Sequence, residues 1–141
     1  MKTYLLALLF AVSLFSGTSQ AEQKQALGPW DVHYIAFDST LLDPTIAKNY
    51  GIERSSFNAL LNISVLRSND QQAQQVELSG KVRDLMGKTT ELSFKQVTEG
   101  DAIYYLAQLP VRNEQHLTFI IDIRQGTTQQ QLQFSQTFYT E

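Results

Sequence analysis

The segment 50–56 (YGIERSS) holds the side chains best suited to recognise a partner. The Arg54 guanidinium is a planar fork that matches a carboxylate or phosphate, and Tyr50 offers a rigid amphipathic ring. Ser55 adds a hydroxyl beside them. Tight loops on a rigid β-scaffold often carry recognition residues. We therefore predict a binding surface that includes Tyr50, Arg54 and Ser55.

A packing role for the same residues is the alternative. Arg54 could pair with a nearby acid, Glu53, Asp38 or Asp43, while Tyr50 caps the core. In that case the segment would hold the fold together rather than contact a partner.

Tyr104 is a fourth candidate contact because it precedes Tyr105 in a segment with strand-like alternation. Neighbouring strand residues point to opposite faces, so a buried Tyr105 leaves Tyr104 on the outside. Tyr104 is predicted to contact a partner, with cross-strand packing as the alternative.

The sequence indicates no catalytic set, metal site or cofactor. It has two histidines, His33 and His116, which are not at ligand spacing, and no cysteine. The acids are scattered, mostly at predicted strand ends or turns. Paired carboxylates are the enzymatic route that is left, and they would require two acids to converge in the fold. A small hydrolase or carbohydrate-active enzyme of this kind is the alternative to a non-enzymatic protein.

Residues 1–21 have the features of a cleavable secretory signal peptide. Lys2 starts a short positive region, and Tyr4 to Phe15 form an apolar run. Twelve helical residues span about 18 Å, too short for a bilayer core of about 30 Å. Ser19 and Ala21 are small residues at the positions required for cleavage after Ala21. We expect the chain to be exported.

The mature chain, residues 22–141, is predicted to form one domain. The full chain has 11 basic and 14 acidic residues, and removal of Lys2 leaves 10 basic residues and a net charge of −4. This charge argues against nucleic acid or anionic lipid as the main partner. No later segment is long enough to span a membrane, so we expect no membrane insertion of the mature chain.

Seven segments alternate between apolar and polar residues and predict antiparallel strands. A polar loop over 68–75 separates the second strand from the third, and residues 22–27 are expected to be frayed. Trp30 is expected in the core. Phe57 is expected on the inner face of its strand, and Leu60 on the opposite, covered face. The predicted strands are 30–37, 57–66, 76–85, 89–97, 102–109, 116–124 and 130–139.

One short helix is predicted near residues 43–50. Asp43 can cap the first amide groups, Pro44 suits the first helical position, and Gly51 can adopt the left-handed exit. An all-β chain with regularly spaced turns favours a two-sheet arrangement. We predict an immunoglobulin-like β-sandwich of about seven strands.

Several segments resemble the domain-of-unknown-function (DUF) family 4426 of exported Gram-negative bacterial proteins. They are VHYIAF, YGIERS, NALLNISV, IYY and FSQTFY, in this order within residues 28–141. The resemblance implies a periplasmic β-sandwich and implies no activity or catalytic residues.

Together these observations favour a periplasmic, non-enzymatic binding or protein-interaction module. Its expected partner is an envelope protein or another envelope component. Besides the carboxylate enzyme, a second alternative is an accessory chaperone that adds a strand to a client. That alternative requires an unpaired edge strand near residues 129–138.

Overall fold

The predicted alternating segments form strands in a computed structural model that describes residues 22–141. Residues 1–21, with the predicted signal peptide, lie outside the described part. Nine strands are present within it: β1 (Gln23–Leu27), β2 (Trp30–Asp38), β3 (Asn58–Arg67), β4 (Glu77–Arg83), β5 (Thr89–Leu92), β6 (Lys95–Glu99), β7 (Ala102–Pro110), β8 (Gln115–Gln125) and β9 (Thr128–Phe138).

The strands build two antiparallel sheets that face each other. Sheet A has the order β1-β2-β3-β7-β6, and sheet B has the order β5-β4-β8-β9. Alternate side chains from both sheets fill the space between them, including Trp30, which is 1% exposed. Phe119 stacks on Phe134 with their ring centroids 4.6 Å apart. The predicted all-β sandwich is confirmed.

Two segments explain why the described part has nine strands rather than about seven. Residues Gln23–Leu27 are expected from their sequence to be frayed, but they pair with β2 through backbone hydrogen bonds. Such pairing does not require alternating apolar side chains, so the sequence pattern does not reveal it. The predicted strand 89–97 divides between β5 of sheet B and β6 of sheet A. Its buried residues Leu92 and Val97 are an odd number of positions apart, so one strand would point them to opposite faces. They belong instead to different sheets.

The predicted helix, α1 (Pro44–Asn49), is confirmed together with its end signals. The Asp43 carboxylate accepts hydrogen bonds from the Thr45 and Ile46 amides, at 2.8 and 3.3 Å. Gly51 follows the helix with a φ of 67°, a conformation that costs glycine little. A 3-10 turn, Ser39–Leu41, precedes α1.

Helix α1 covers the outer face of sheet A and forms a second, smaller apolar cluster. Leu60 is 1% exposed in this cluster, so β3 is covered on both faces as predicted. Among residues 22–141, no helix has the length and apolar character needed to cross a membrane. The cluster consists of Ile35, Phe37, Leu42, Ala47, Ile52 and Leu60.

Phe57 departs from the prediction that placed it on an inner face. Its side chain is 61% exposed. Strand β3 begins one residue later, and the Phe57 amide donates instead to the Ser55 hydroxyl, at 3.1 Å. Because Phe57 lies in a turn, the alternation of β3 does not fix the direction of its side chain.

Candidate functional site

Arg54 binds the backbone of a neighbouring loop rather than an acid. Its Nε donates to the Leu42 carbonyl at 2.8 Å, and its Nη2 donates to the Thr40 carbonyl at 2.7 Å. Asp38 and Asp43, two of the acids considered as partners, accept backbone amides at the 3-10 turn and the helix start. Arg54 thus holds the entry to α1 against the segment that leaves it.

Ser55 belongs to a second set of internal hydrogen bonds. Its amide donates to the hydroxyl of the fully buried Ser39, at 3.0 Å. The Ser39 hydroxyl lies within donating distance of the Ser55 and Glu53 carbonyls, at 3.0 and 2.9 Å. The Ser55 hydroxyl accepts from the Phe57 amide. The polar groups of Ser55 are therefore engaged by the chain itself.

Tyr50 and Tyr104, in contrast, line one cavity between α1 and the outer face of sheet A, here called the helix recess. Its other polar lining residues are Glu99 and Asn62. The Tyr50 hydroxyl donates to a Glu99 carboxylate oxygen. This hydrogen bond, with burial and the Glu99 charge, raises the pKa of Tyr50 to about 12. Burial raises the pKa of the half-buried Tyr104, and the negative charges of Glu99 and Glu22 add to the shift.

The helix recess is small. It encloses about 20 Å³, which is room for a single water molecule. The Asn62 Oδ1 atom is buried and has no hydrogen-bond partner within the described chain, so it is suited to accept from such a water. The recess therefore brings two of the four predicted residues together, while Arg54 and Ser55 lie outside its lining.

The two histidines lie in separate places and have local partners. His33 Nδ1 lies 3.0 Å from a Glu22 carboxylate oxygen, and His116 Nδ1 lies 3.0 Å from the Thr137 hydroxyl. Across residues 22–141, no three side chains of His, Asp or Glu converge as metal ligands would.

A second, larger cavity opens at one end of the sandwich, between the β4–β5 turn and the β7–β8 turn. We call it the end cleft. It has a volume of about 470 Å³, within the range of small-molecule sites. Its floor is made of four buried aliphatic side chains, Val82, Leu109, Val111 and Leu117. Its rim consists of Phe57, Asp84, Lys88, Thr90, Pro110, Arg112 and Gln115.

Both turns at the rim are fixed by their own hydrogen bonds. The Asp84 carboxylate accepts from the Met86 and Lys88 amides, each at 2.9 Å. In the other turn, the Gln115 side-chain oxygen accepts from the Arg112 amide at 3.0 Å. These bonds hold the backbone at Lys88 and Arg112 and leave their cationic groups outside the turn networks.

The two rim cations have no ionic partner in the described part of the chain. No carboxylate oxygen of residues 22–141 lies within 4.0 Å of the Lys88 ammonium or the Arg112 guanidinium. The close charged pairs among these residues are His33 with Glu22 and Arg67 with Asp70. Three strongly exposed apolar side chains lie at or near the same rim. They are Phe57, 61% exposed, Leu85, 80% exposed, and Met86, 92% exposed.

The sequence alone does not point to the residues of the end cleft. Lys88 and Arg112 each follow a turn signal and look individually like solvated charges. The consecutive apolar residues Leu85 and Met86 are a clue, since turns favour small and polar residues. Only the sheet order shows that both turns border one cleft.

This chain is similar to known proteins in sequence and in fold. The family model of DUF4426, a domain of unknown function, matches residues 24–141. A crystal structure of a DUF4426 family protein from Pseudomonas aeruginosa PAO1 is 32% identical, with a TM-score of 0.75. The match covers 86% of this chain and 98% of that one. No curated protein matches the chain.

The same fold occurs in FetP from uropathogenic Escherichia coli strain F11, at much lower identity. FetP expressed in the periplasm is 9% identical with a TM-score of 0.58, over 84% of this chain and 94% of that one. A copper-bound variant of FetP with a single substitution is 10% identical with the same TM-score, over 84% and 95%. These likenesses concern the fold alone. The family match, which spans nearly all of the described chain, shows that this protein belongs to the DUF4426 family.

Proposed function

We propose that this chain is a non-enzymatic binding module of the periplasm, and that the end cleft is its binding site. The observation that carries the proposal is the cleft itself, an open cavity of about 470 Å³ with a buried aliphatic floor. A concave cavity of this volume that combines apolar side chains with a few polar groups is a common form of small-molecule site.

The distribution of acids favours binding over paired-carboxylate chemistry. Glu99 is the one carboxylate that lines the helix recess, and Asp84 is the one that lines the end cleft. Glycoside hydrolysis requires two carboxyl groups on either side of the scissile bond. Neither cavity offers such a pair.

Export to the periplasm is supported by the signal-like composition of residues 1–21 and by the fold shared with FetP, which has been expressed in the periplasm. Copper binding does not transfer with the fold. The copper-bound FetP variant is only 10% identical to this chain, so its metal is a property of that protein.

The residues predicted from sequence take a positioning role in this proposal. Arg54 and Ser55 donate to or accept from the chain, and Tyr50 donates to Glu99. Contact of Tyr50, Arg54, Ser55 and Tyr104 with an envelope partner stays a prediction.

An uncharged apolar dye, N-phenyl-1-naphthylamine, tests the proposal whatever the charge of the natural ligand. Its fluorescence should rise when it enters the apolar floor of the end cleft in the wild-type protein. Thr90→Trp, which adds a bulky ring at the cleft rim, should abolish that rise. Thr98→Trp is the matched control, because Thr98 is an exposed threonine of β6 outside the cleft lining. Dye binding that survives in Thr90→Trp would refute the end cleft as the binding site.

Strand addition to a client is the second candidate function. Strand β9 lies at the edge of sheet B and has 11 residues without a charge or a proline. Such edges accept another strand readily. The Gln25 side chain of β1 already donates to the Gln133 carbonyl, at 3.3 Å, which covers part of this edge. Slow hydrogen exchange of every β9 amide in the isolated chain would remove this candidate.

A further inference from the structure

We infer that the ligand of the end cleft is an amphipathic carboxylate, an aliphatic chain that ends in one carboxylate group. This inference rests on the proposed function and adds the chemical class of the ligand. It places the chain of the ligand on the cleft floor and its head group between Lys88 and Arg112.

The floor of the cleft selects an aliphatic tail. Val82, Leu109, Val111 and Leu117 form the base of the cleft, offer no side-chain donor or acceptor, and expose only a small apolar area, each no more than 5% exposed. The Phe57 ring, 61% exposed, adds the larger apolar surface of the lining. A ligand with many polar groups would lose hydrogen bonds to water there without replacement. An alkyl chain loses none, and its burial is favourable in proportion to the apolar area removed from water.

The rim selects a negative head group. Lys88 and Arg112 line the cleft and have no carboxylate within 4.0 Å in residues 22–141. Asp84 is the acid among the lining residues, and its Oδ1 atom is held by two backbone amides of its own turn. Two cations against one acid leave the rim positive. The Arg112 guanidinium can bind both oxygens of a carboxylate, and the Lys88 ammonium can bind one.

The charge of the whole molecule limits the form in which this ligand arrives. The predicted mature chain has a net charge of −4, which opposes docking on an extended anionic membrane surface. A single carboxylate in the cleft interacts mainly with charges within a Debye length, about 8 Å at physiological salt. Charge thus favours one dissolved amphiphile over a bilayer.

The exposed apolar side chains near the rim fit the same ligand. Leu85 and Met86 lie at the tip of the β4–β5 turn, and Phe57 lines the opposite side of the cleft. Exposed apolar groups clustered in this way mark binding surfaces. Met86, with its flexible thioether side chain, can adapt to an alkyl chain that extends beyond the floor.

Three competitors with one tail and different heads test the inference. Decanoate, decyl alcohol and decylammonium, each below its micellar concentration, are titrated against the protein with bound N-phenyl-1-naphthylamine. Decanoate should displace the dye at a concentration about tenfold lower than decylammonium, because two rim cations attract one head and repel the other. Equal or stronger displacement by decylammonium would overturn the inference.

A double variant, Lys88→Gln with Arg112→Gln, assigns the preference to the rim cations. It should raise the Kd of decanoate about tenfold and change that of decyl alcohol less than about twofold. Lys81→Gln with Arg124→Gln is the matched control, since it removes two exposed cations of sheet B outside the cleft lining. An unchanged decanoate Kd in the rim variant, or an equal loss in the control, would contradict the inference.

The dye separates failure of this inference from failure of the proposed function. If the dye binds the wild type and is blocked by Thr90→Trp while decanoate shows no preference, the ligand class is wrong and the cleft stands. If Thr90→Trp fails to block the dye, the cleft is not the binding site and both proposals fall.

Discussion

The helix recess and the end cleft differ in how far the chain satisfies its own side chains. In the recess, α1 closes over the outer face of sheet A, and Tyr50 and Glu99 bond to each other. About 20 Å³ is left there, against about 470 Å³ in the cleft. At the cleft rim, Lys88 and Arg112 have no ionic partner among the described residues.

Side chains suited to recognition are therefore not by themselves a recognition site. Arg54 has the chemistry of an anion-binding residue, but its Nε and one of its Nη atoms already donate to the Leu42 and Thr40 carbonyls. Lys88 has only a simple ammonium group, but its side chain is exposed and lines the end cleft. The recess is therefore expected to affect folding, and the cleft to affect binding.

Leu60→Ala should have the largest effect, because Leu60 is 1% exposed beneath α1. Loss of a buried leucine side chain leaves a cavity, and the free energy of unfolding should fall by about 2–5 kcal/mol. Urea denaturation measures the change. Leu85→Ala, at a side chain that is 80% exposed, should change it by no more than about 0.5 kcal/mol. Similar losses in the two variants would contradict the packing of α1 described here.

Ser39→Ala should lower the free energy of unfolding by about 1–3 kcal/mol. The Ser55 amide then loses its acceptor, and the Glu53 and Ser55 carbonyls lose a donor. The exposed Ser68→Ala serves as control for loss of a hydroxyl. Folded Ser39→Ala protein should bind the apolar dye as the wild type does, and weaker binding would link the two regions.

Arg54→Ala should cost about 1 kcal/mol of stability, because the residue is exposed and its two hydrogen bonds compete with water. The measurement is again urea denaturation, with Arg124→Ala as an exposed arginine control. Decanoate affinity should be the same in both variants. A loss of decanoate affinity in Arg54→Ala alone would indicate that the 50–56 segment belongs to the binding site.

Tyr50→Phe should have the smallest effect on the free energy of unfolding at neutral pH. It should clearly change how that free energy depends on pH above about pH 10. Tyr50 has a pKa of about 12 in the folded chain, above the ordinary value of 10.0. Its hydrogen bond to Glu99 therefore contributes fully below about pH 10 and is lost as pH rises toward 12. The stability difference from wild type should shrink over that window.

Ultraviolet titration of tyrosinate checks this assignment. A transition near pH 12 should be present in the wild type and in the exposed-site control Tyr139→Phe. Its amplitude should be lower by one tyrosine in Tyr50→Phe, because burial also raises the pKa of Tyr104 and Tyr105. An undiminished transition in Tyr50→Phe would show that another tyrosine causes it.

Most of the fold could be predicted from sequence because its signals are local. Alternation located β2, β3, β7 and β8 to within a residue or two, and Asp43, Pro44 and Gly51 marked the ends of α1. The errors arose where local pattern carries no information. Strand β1 is held by pairing with β2, and Phe57 lies just before its strand begins.

The candidate site was less predictable because it depends on long-range pairing. Tyr50 and Tyr104 are far apart in sequence and meet because α1 packs over sheet A. Lys88 and Arg112 line the same cleft because the β4–β5 and β7–β8 turns lie at one end of the sandwich. Composition could indicate that cations exist, but only the sheet order places two of them at one apolar cleft.

Hydrogen exchange with and without decanoate tests the division between recess and cleft most directly. We expect slower exchange in residues 82–90 and 109–117, which border the end cleft, and no change in residues 44–52 around α1. Slower exchange confined to residues 44–52, with 82–90 and 109–117 unchanged, would contradict it.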